Sequence, residues 1–215
     1  MSSGGVVLIT GSRGSGKSTK ARELASSYKM AVAIDPARDW QRSRGWVRAD
    51  TLKEVAALIR KHWRGGKRIA YTPPVGYEAE ALHHLSGMVF QAQEAFFAGS
   101  SARKFLVVVD EAAEAYGNRH QERQDLTGFK RVLNQGRHHG IDVVAITQRP
   151  QDVATRMRTN ADTFYAFRLG DAAAIKAVAD KIGRAEAAKV AKLPAFSYVQ
   201  ISDGEVKNGK TRKPR

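Results

Sequence analysis

Two stretches of this sequence carry residue types that together could handle a nucleoside triphosphate. The first is Gly11-Ser12-Arg13-Gly14-Ser15-Gly16-Lys17-Ser18-Thr19, which contains the pattern G-x-x-x-x-G-K-S. Its glycines let the backbone curl until successive N–H groups point at phosphate oxygens. A helix starting here would add free N–H groups and a positive dipole end. Lys17 is then placed to reach the β- and γ-phosphates, and the Ser18 hydroxyl to hold Mg²⁺. The second stretch is Asp110-Glu111, directly after the apolar run Phe105-Leu-Val-Val-Val109. Carboxylates at the C-terminal end of such a strand lie where ligands gather in α/β folds. There Asp110 would serve Mg²⁺, and Glu111 could orient and deprotonate an attacking water. An Asp-Glu pair alone says little; it gains meaning from the phosphate loop.

The elements that must position these residues can be read from apolar patterning. Val6 to Thr10 is expected to be a buried strand feeding the loop, and Ser18 to Tyr28 the helix leaving it. Met30 to Asp35 reads as a second strand, which Pro36 ends. Thr51 with Glu54 is a capping-box signature, and Leu52, Val55, Leu58 and Ile59 form the helix face behind it. Gly65-Gly66 stops that helix. Arg68 to Tyr71 reads as a short strand, closed by Pro73-Pro74, and a long helix is expected from Tyr77 to about Phe97. The adjacent His83 and His84 diverge by about 100° on a helix and make a poor chelate. Gln121 to His139 reads as a helix with Leu126, Phe129 and Leu133 on its apolar face. Ile141 to Thr147 is the next strand, with Gln148 at its C-terminal end, placed to reach a γ-phosphate. Thr163 to Leu169 is the last core strand. Two helices, from Asp171 and over Arg184 to Lys192, precede a strand at Phe196 to Ser202. Asp203-Gly204 and Asn208-Gly209 are turn dipeptides.

One segment admits two readings. Ala37 to Asp50 sets Arg38, Arg42, Arg44 and Arg48 around Trp40 and Trp46. Arginines with aromatics can grip a phosphate backbone and stack bases. The favoured reading is a surface loop pinned by two half-buried tryptophans.

Composition narrows the class. The 215 residues suffice for one α/β domain and are short for two. Without cysteine there is neither a disulfide nor a thiolate metal site. The net charge of +15 suggests a polyanionic partner. Five Lys or Arg and no acid stand in Lys207 to Arg215, and no acid lies between Asp125 and Asp142. The apolar runs fall far short of the ~20 residues that span a membrane, and no secretion signal is visible. A cytoplasmic protein without an integral membrane segment is expected.

Taken in order, the phosphate loop, Asp35-Pro36, Asp110-Glu111, then Gly136-Arg137-His-His-Gly140-Ile141 leading into Ala145-Ile-Thr-Gln148-Arg-Pro150, the chain resembles the FtsK–HerA superfamily of DNA-pumping ATPases. It looks most like the small genome-packaging ATPases of tailless, membrane-containing phages and the related Zot-type ATPases of filamentous phages. The resemblance implies a single RecA-like α/β domain, expected over residues 1–206; the charge run marks 207–215 as a basic tail, whose end from Lys210 is expected to be mobile. The resemblance also implies a mostly parallel sheet of core order 5-1-4-3-2 with helices on both faces, and the Arg68 strand at the edge beside the Asp35 strand. ATP and Mg²⁺ follow as ligands, with Lys17 and Ser18 on phosphate and metal, Asp110 as metal carboxylate, Glu111 as base and Gln148 as sensor. Arg137, expected near the nucleotide edge, would act on the neighbouring subunit's ATP, with Arg131 as its rival. The implied partners are DNA bound by its backbone, further copies in a hexameric ring, and capsid or portal-vertex proteins. Zot-type proteins usually carry a transmembrane segment after the ATPase domain, which favours the packaging type here. A P-loop small-molecule kinase and a non-hydrolysing switch are the readings from other classes.

Overall fold

The computed structural model describes residues 5–212. Its strands are β1 (Val6–Thr10), β2 (Met30–Ile34), β3 (Trp46–Ala49), β4 (Lys67–Tyr71), β5 (Phe105–Val109), β6 (Ile141–Thr147), β7 (Ala161–Phe167), β8 (Ser197–Ser202) and β9 (Glu205–Lys210). Its helices are α1 (Lys17–Ala25), α2 (Leu52–His62), α3 (Glu78–Ala92), α4 (Glu94–Phe97), α5 (Ala112–Ala115), α6 (Thr127–Gln135), α7 (Thr155–Asn160), α8 (Ala172–Ile182) and α9 (Arg184–Val190).

All nine strands form one sheet in the order β3-β4-β2-β5-β6-β1-β7-β8-β9. The strands from β3 to β7 pair in parallel, and β8 and β9 are antiparallel. Counting β1, β2, β5, β6 and β7 as one to five, the core order is 5-1-4-3-2. The strand at Arg68 does lie beside β2, but β3 lies outside it, so it is not the edge.

Parallel strands covered on both faces read as continuous apolar runs, and β5 and β2 are buried at every residue. Side chains alternate between the faces. Phe105, Val107 and Val109 point to the larger core, which α2, α3, α6 and α8 cover with Val55, Leu82, Leu85, Phe129 and Val178. Leu106 and Val108 point to a smaller core shared with Ala21 and Ala25 of α1 and with Trp40 and Trp46. On this second face β2 and β4 bury only Ala31, Ala33 and Ala70, and the two indoles pack against those small residues. The segment from Ala37 to Gly45 is a surface loop, as expected, with Arg38, Arg42 and Arg44 exposed, but its tryptophans are core residues and not half-buried pins. Trp40 is wholly buried and Trp46 nearly so, and Trp46 opens a strand that the sequence reading missed.

Three other expectations are corrected. The single helix Tyr77 to Phe97 is two, because Gln93 is buried and turns its amide to the carbonyls of Arg103, His139 and Gly140. The helix expected from Gln121 starts at Thr127 and ends in a 3-10 turn over Gly136–His139. Its missing start, Gln121 to Asp125, holds no apolar residue to bury, and Arg123 pairs there with Glu80 and Asp125. Finally, Asp203-Gly204 is the hairpin turn, but Asn208-Gly209 is not a turn. It lies in β9, where Gly209 faces Tyr198 so closely that a Cβ would fall 2.6 Å from the ring. A boundary after residue 206 thus falls inside the β8–β9 hairpin. Thr211 beyond it is buried, and residues 213–215 of the expected tail lie outside the described residues.

Candidate active site

Because the core strands run the same way, the ends of β1, β2, β5, β6 and β7 share one edge of the sheet. There β1 passes into the loop from Gly11, and α1 begins at Lys17. The loop is anchored at both ends. Ser12 donates to the Arg168 carbonyl from its N–H at 2.8 Å and its hydroxyl at 2.9 Å, just past β7. The Phe196 N–H donates to the Ser15 carbonyl at 2.8 Å. Gly16 sits at φ 115°, and a Cβ there would meet Phe167 at 3.0 Å and Phe196 at 3.1 Å. Only glycine turns the chain into α1 in that space. Arg13 and Gly14 form the exposed tip, and Ser18 and Thr19 are half-buried in the first turn of α1.

Lys17 is 7% exposed, and its Nζ donates to the Ser12 carbonyl at 2.9 Å. Burial lowers its pKa, while the charges of Glu111 and Asp110 raise it. The ammonium thus lies in the field of both acids. Asp110 accepts from the Trp40 indole N–H at 2.8 Å and from the Glu111 N–H at 3.1 Å. Burial pushes its carboxyl up to about 6; the Trp40 bond opposes this, and the charges of Asp35 and Glu111 add to it.

Glu111 adopts the left-handed backbone, at φ 55° and ψ 63°, which is uncommon for a residue with a side chain. This turn carries its carboxylate to the end of β6. There Gln148 donates to it from its backbone N–H and its Nε2, each at 3.2 Å, and the Thr147 hydroxyl lies at 3.4 Å. The residues predicted as base and sensor are joined directly. Glu114, one turn on, is exposed and pairs with Arg119 instead.

The loop, Asp110, Glu111 and Gln148 therefore share one edge, and Arg137 does not. It is exposed in the 3-10 turn before β6, whereas the nucleotide edge lies after it. The seven residues of β6 put roughly 20 Å between the two ends. Its expected place near the nucleotide edge is corrected. Arg131 lies over the Phe90 ring and donates to Gln135. Asp35 and Trp40 belong to the site and were missed, since spacing in sequence does not tell which way a side chain points. The available signal was an acid closing a strand with a tryptophan five residues on.

Hard oxygen donors suit Mg²⁺, which is typically held by one or two protein groups together with substrate phosphates and water. The Ser18 hydroxyl and the Asp110 carboxylate, a partly buried acid with Asp35 and Glu111 close enough to raise its pKa, fit that role.

A strand–loop–helix bearing G-x-x-x-x-G-K-S, with acids and a glutamine along the same edge of a 5-1-4-3-2 sheet, defines a RecA-like P-loop NTPase domain. Residues 69–206 match the zonular occludens toxin (Zot) family, and the chain belongs to it. That span holds Asp110, Glu111 and Gln148; the phosphate loop precedes it. Among solved structures, the genome packaging NTPase B204 from Sulfolobus turreted icosahedral virus 2, in complex with ATP-gammaS, aligns with a TM-score of 0.73 at 16% identity, covering 98% of each chain. B204, the DNA-packaging ATPase from Sulfolobus turreted icosahedral virus, gives 0.71 at 19% identity over 97% of this chain and 98% of its own. The bacterial conjugative coupling protein TrwB gives 0.64 at 13% identity over 97% and 85%. At these identities the likeness is one of fold. No curated protein matches the sequence.

Proposed function

We propose that this chain is a Mg²⁺-dependent ATPase that moves DNA, working as a homo-oligomeric ring in genome packaging. The observation that carries hydrolysis, rather than binding alone, is the Glu111 carboxylate held by both N–H groups of Gln148 at the phosphate-loop edge. In this reading the backbone N–H groups of Gly11 to Thr19 and the Lys17 ammonium hold the β- and γ-phosphates. Ser18 and Asp110 hold Mg²⁺, which when bound neutralises phosphate charge. Glu111 accepts a proton from the attacking water, as a general base must. Gln148 sets the direction of that carboxylate and, on releasing it, has a free donor for the γ-phosphate. The net charge of +15 supports a polyanion as the moving partner.

The test is phosphate release from ATP without any acceptor, compared between the wild type and Glu111→Gln. The wild type should turn over, and Glu111→Gln should bind ATP yet hydrolyse it about 10²–10⁴-fold more slowly. Turnover that appears only with a nucleoside monophosphate would indicate a kinase, and none at all a switch.

Arg137, too far to serve its own subunit, is assigned to a neighbour's ATP, with capsid or portal-vertex proteins holding the ring. Arg137→Ala mixed with Lys17→Ala should regain activity at interfaces pairing an intact Lys17 with an intact Arg137. An assembled mixture that stays inactive removes the assignment, and Arg131 is then tested.

A second reading, a filamentous-phage assembly ATPase, is favoured by the family match. It is separated from the first by the DNA that stimulates turnover: single-stranded for phage assembly, duplex for packaging.

A further inference from the structure

The loop from Asp35 to Trp40 is the part of this edge that no motif accounts for. Asp35 is fully buried at the end of β2, where a carboxylate is tolerated only if well hydrogen-bonded. It accepts from the N–H groups of Asp39 at 2.9 Å, Trp40 at 3.0 Å and Gln41 at 3.2 Å. These bonds wrap the chain around the acid and set Trp40 into the core. The ring lies edge-on to Trp46 at 4.7 Å, and the Arg22 guanidinium of α1 is 5.3 Å from it. Arg22 also donates to the Asp39 carbonyl at 3.2 Å, tying the helix after the phosphate loop to the same turn. From this fixed position the indole N–H reaches Asp110 Oδ2 at 2.8 Å.

An indole is a donor only and keeps its proton. It can fix the rotation of a carboxylate while leaving the negative charge whole. A lysine or arginine in its place would compete with a cation for that charge. Each oxygen of Asp110 accepts one N–H, from Trp40 and Glu111, which leaves lone pairs in defined directions.

We propose that Trp40 is a positioning residue that holds the Asp110 carboxylate ready for Mg²⁺, and that Asp35 acts through it by holding the Trp40 turn. The inference rests on the reading of Asp110 as the metal carboxylate. Partners that orient a metal ligand typically matter about 10–100-fold in metal affinity.

Trp40→Phe keeps an aromatic ring and removes the donor. Calorimetric titration of Mg²⁺ into protein carrying ATPγS reads the site without turnover. The variant should need about tenfold or more Mg²⁺ for half-saturation, with ATPγS binding in EDTA unchanged. Asp110→Asn is the reference. If it takes up Mg²⁺ as the wild type does, the reading of Asp110 itself falls. If it is impaired while Trp40→Phe matches the wild type, the role of Trp40 alone is overturned. Should Trp40→Phe not fold, the wild-type protein decides. The indole N–H resonance of Trp40, assigned by elimination in Trp46→Phe and Trp63→Phe, should move when Mg²⁺ is added to the ATPγS complex. A resonance that stays in place overturns the proposal.

Discussion

Asp110 and Glu111 are neighbours in sequence, yet the backbone gives them different surroundings. Asp110 continues the line of β5 to a half-buried position beside Trp40, whose indole N–H it accepts. Glu111 is turned by its left-handed backbone toward Gln148. That division suits one carboxylate to a metal and the other to a proton. Gln148 matters here as an orienting donor, so Gln148→Ala should leave ATP affinity near normal and slow turnover by about 10²-fold, the loss typical of one oriented donor. Equilibrium binding of a fluorescent ATP analogue beside single-turnover hydrolysis checks it; a parallel loss of affinity would assign Gln148 to binding. The meeting of Glu111 with Gln148 was legible in outline, because each closes an apolar strand of a recognisable pattern. Trp40 was not legible, because its role depends on a direction that no periodicity fixes.

At the scale of elements, the phosphate loop is held by its neighbours as much as by its own glycines. The segment after β9 returns to α1, where the Thr211 hydroxyl donates to Glu23 Oε1 at 2.5 Å and the Arg212 N–H at 3.0 Å. Thr211 also donates its N–H to the Phe196 carbonyl at 2.8 Å, and Phe196 in turn holds Ser15. Burial raises the Glu23 pKa, but the bonds from Thr211 and Arg212 and the charge of Lys20 outweigh it and lower the pKa below the usual 4.5. A lowered carboxylate stabilises the fold above its unfolded pKa, and that contribution is lost as pH falls through the folded value. Glu23→Gln should therefore narrow its deficit against the wild type as acid is added below about pH 4.5, read from urea midpoints across pH. A constant deficit would mean the carboxylate charge is not what the latch uses. The same method tests the tryptophan layer. Trp46→Ala should lose about 3–5 kcal/mol, as a core ring does, whereas a surface tryptophan would lose far less. The strand at Trp46 was hidden because WVRA is short and its alternation does not stand out from the arginines around it.

The whole molecule is a basic body whose parallel core was readable from five apolar runs and the motifs that end them. The hairpin at the C-terminus was less so, since Asn-Gly marks turns in most chains and here pairs with Tyr198 in a strand. Lys207 and Lys210 consequently project from β9, not from a free tail. Neutralising both to Gln should leave the fold intact and reduce the salt dependence of DNA binding, lowering the slope of log affinity against log salt by about 2. An unchanged slope would place the DNA elsewhere on the molecule. The central claim is that ATP chemistry at the phosphate-loop edge serves movement along DNA. It is tested most directly by the steady-state rate of ATP hydrolysis at low salt, with and without added DNA. The rate should rise several-fold with DNA, with little regard to sequence, and the rise should vanish in Glu111→Gln. A wild-type rate that is the same with and without DNA would contradict it.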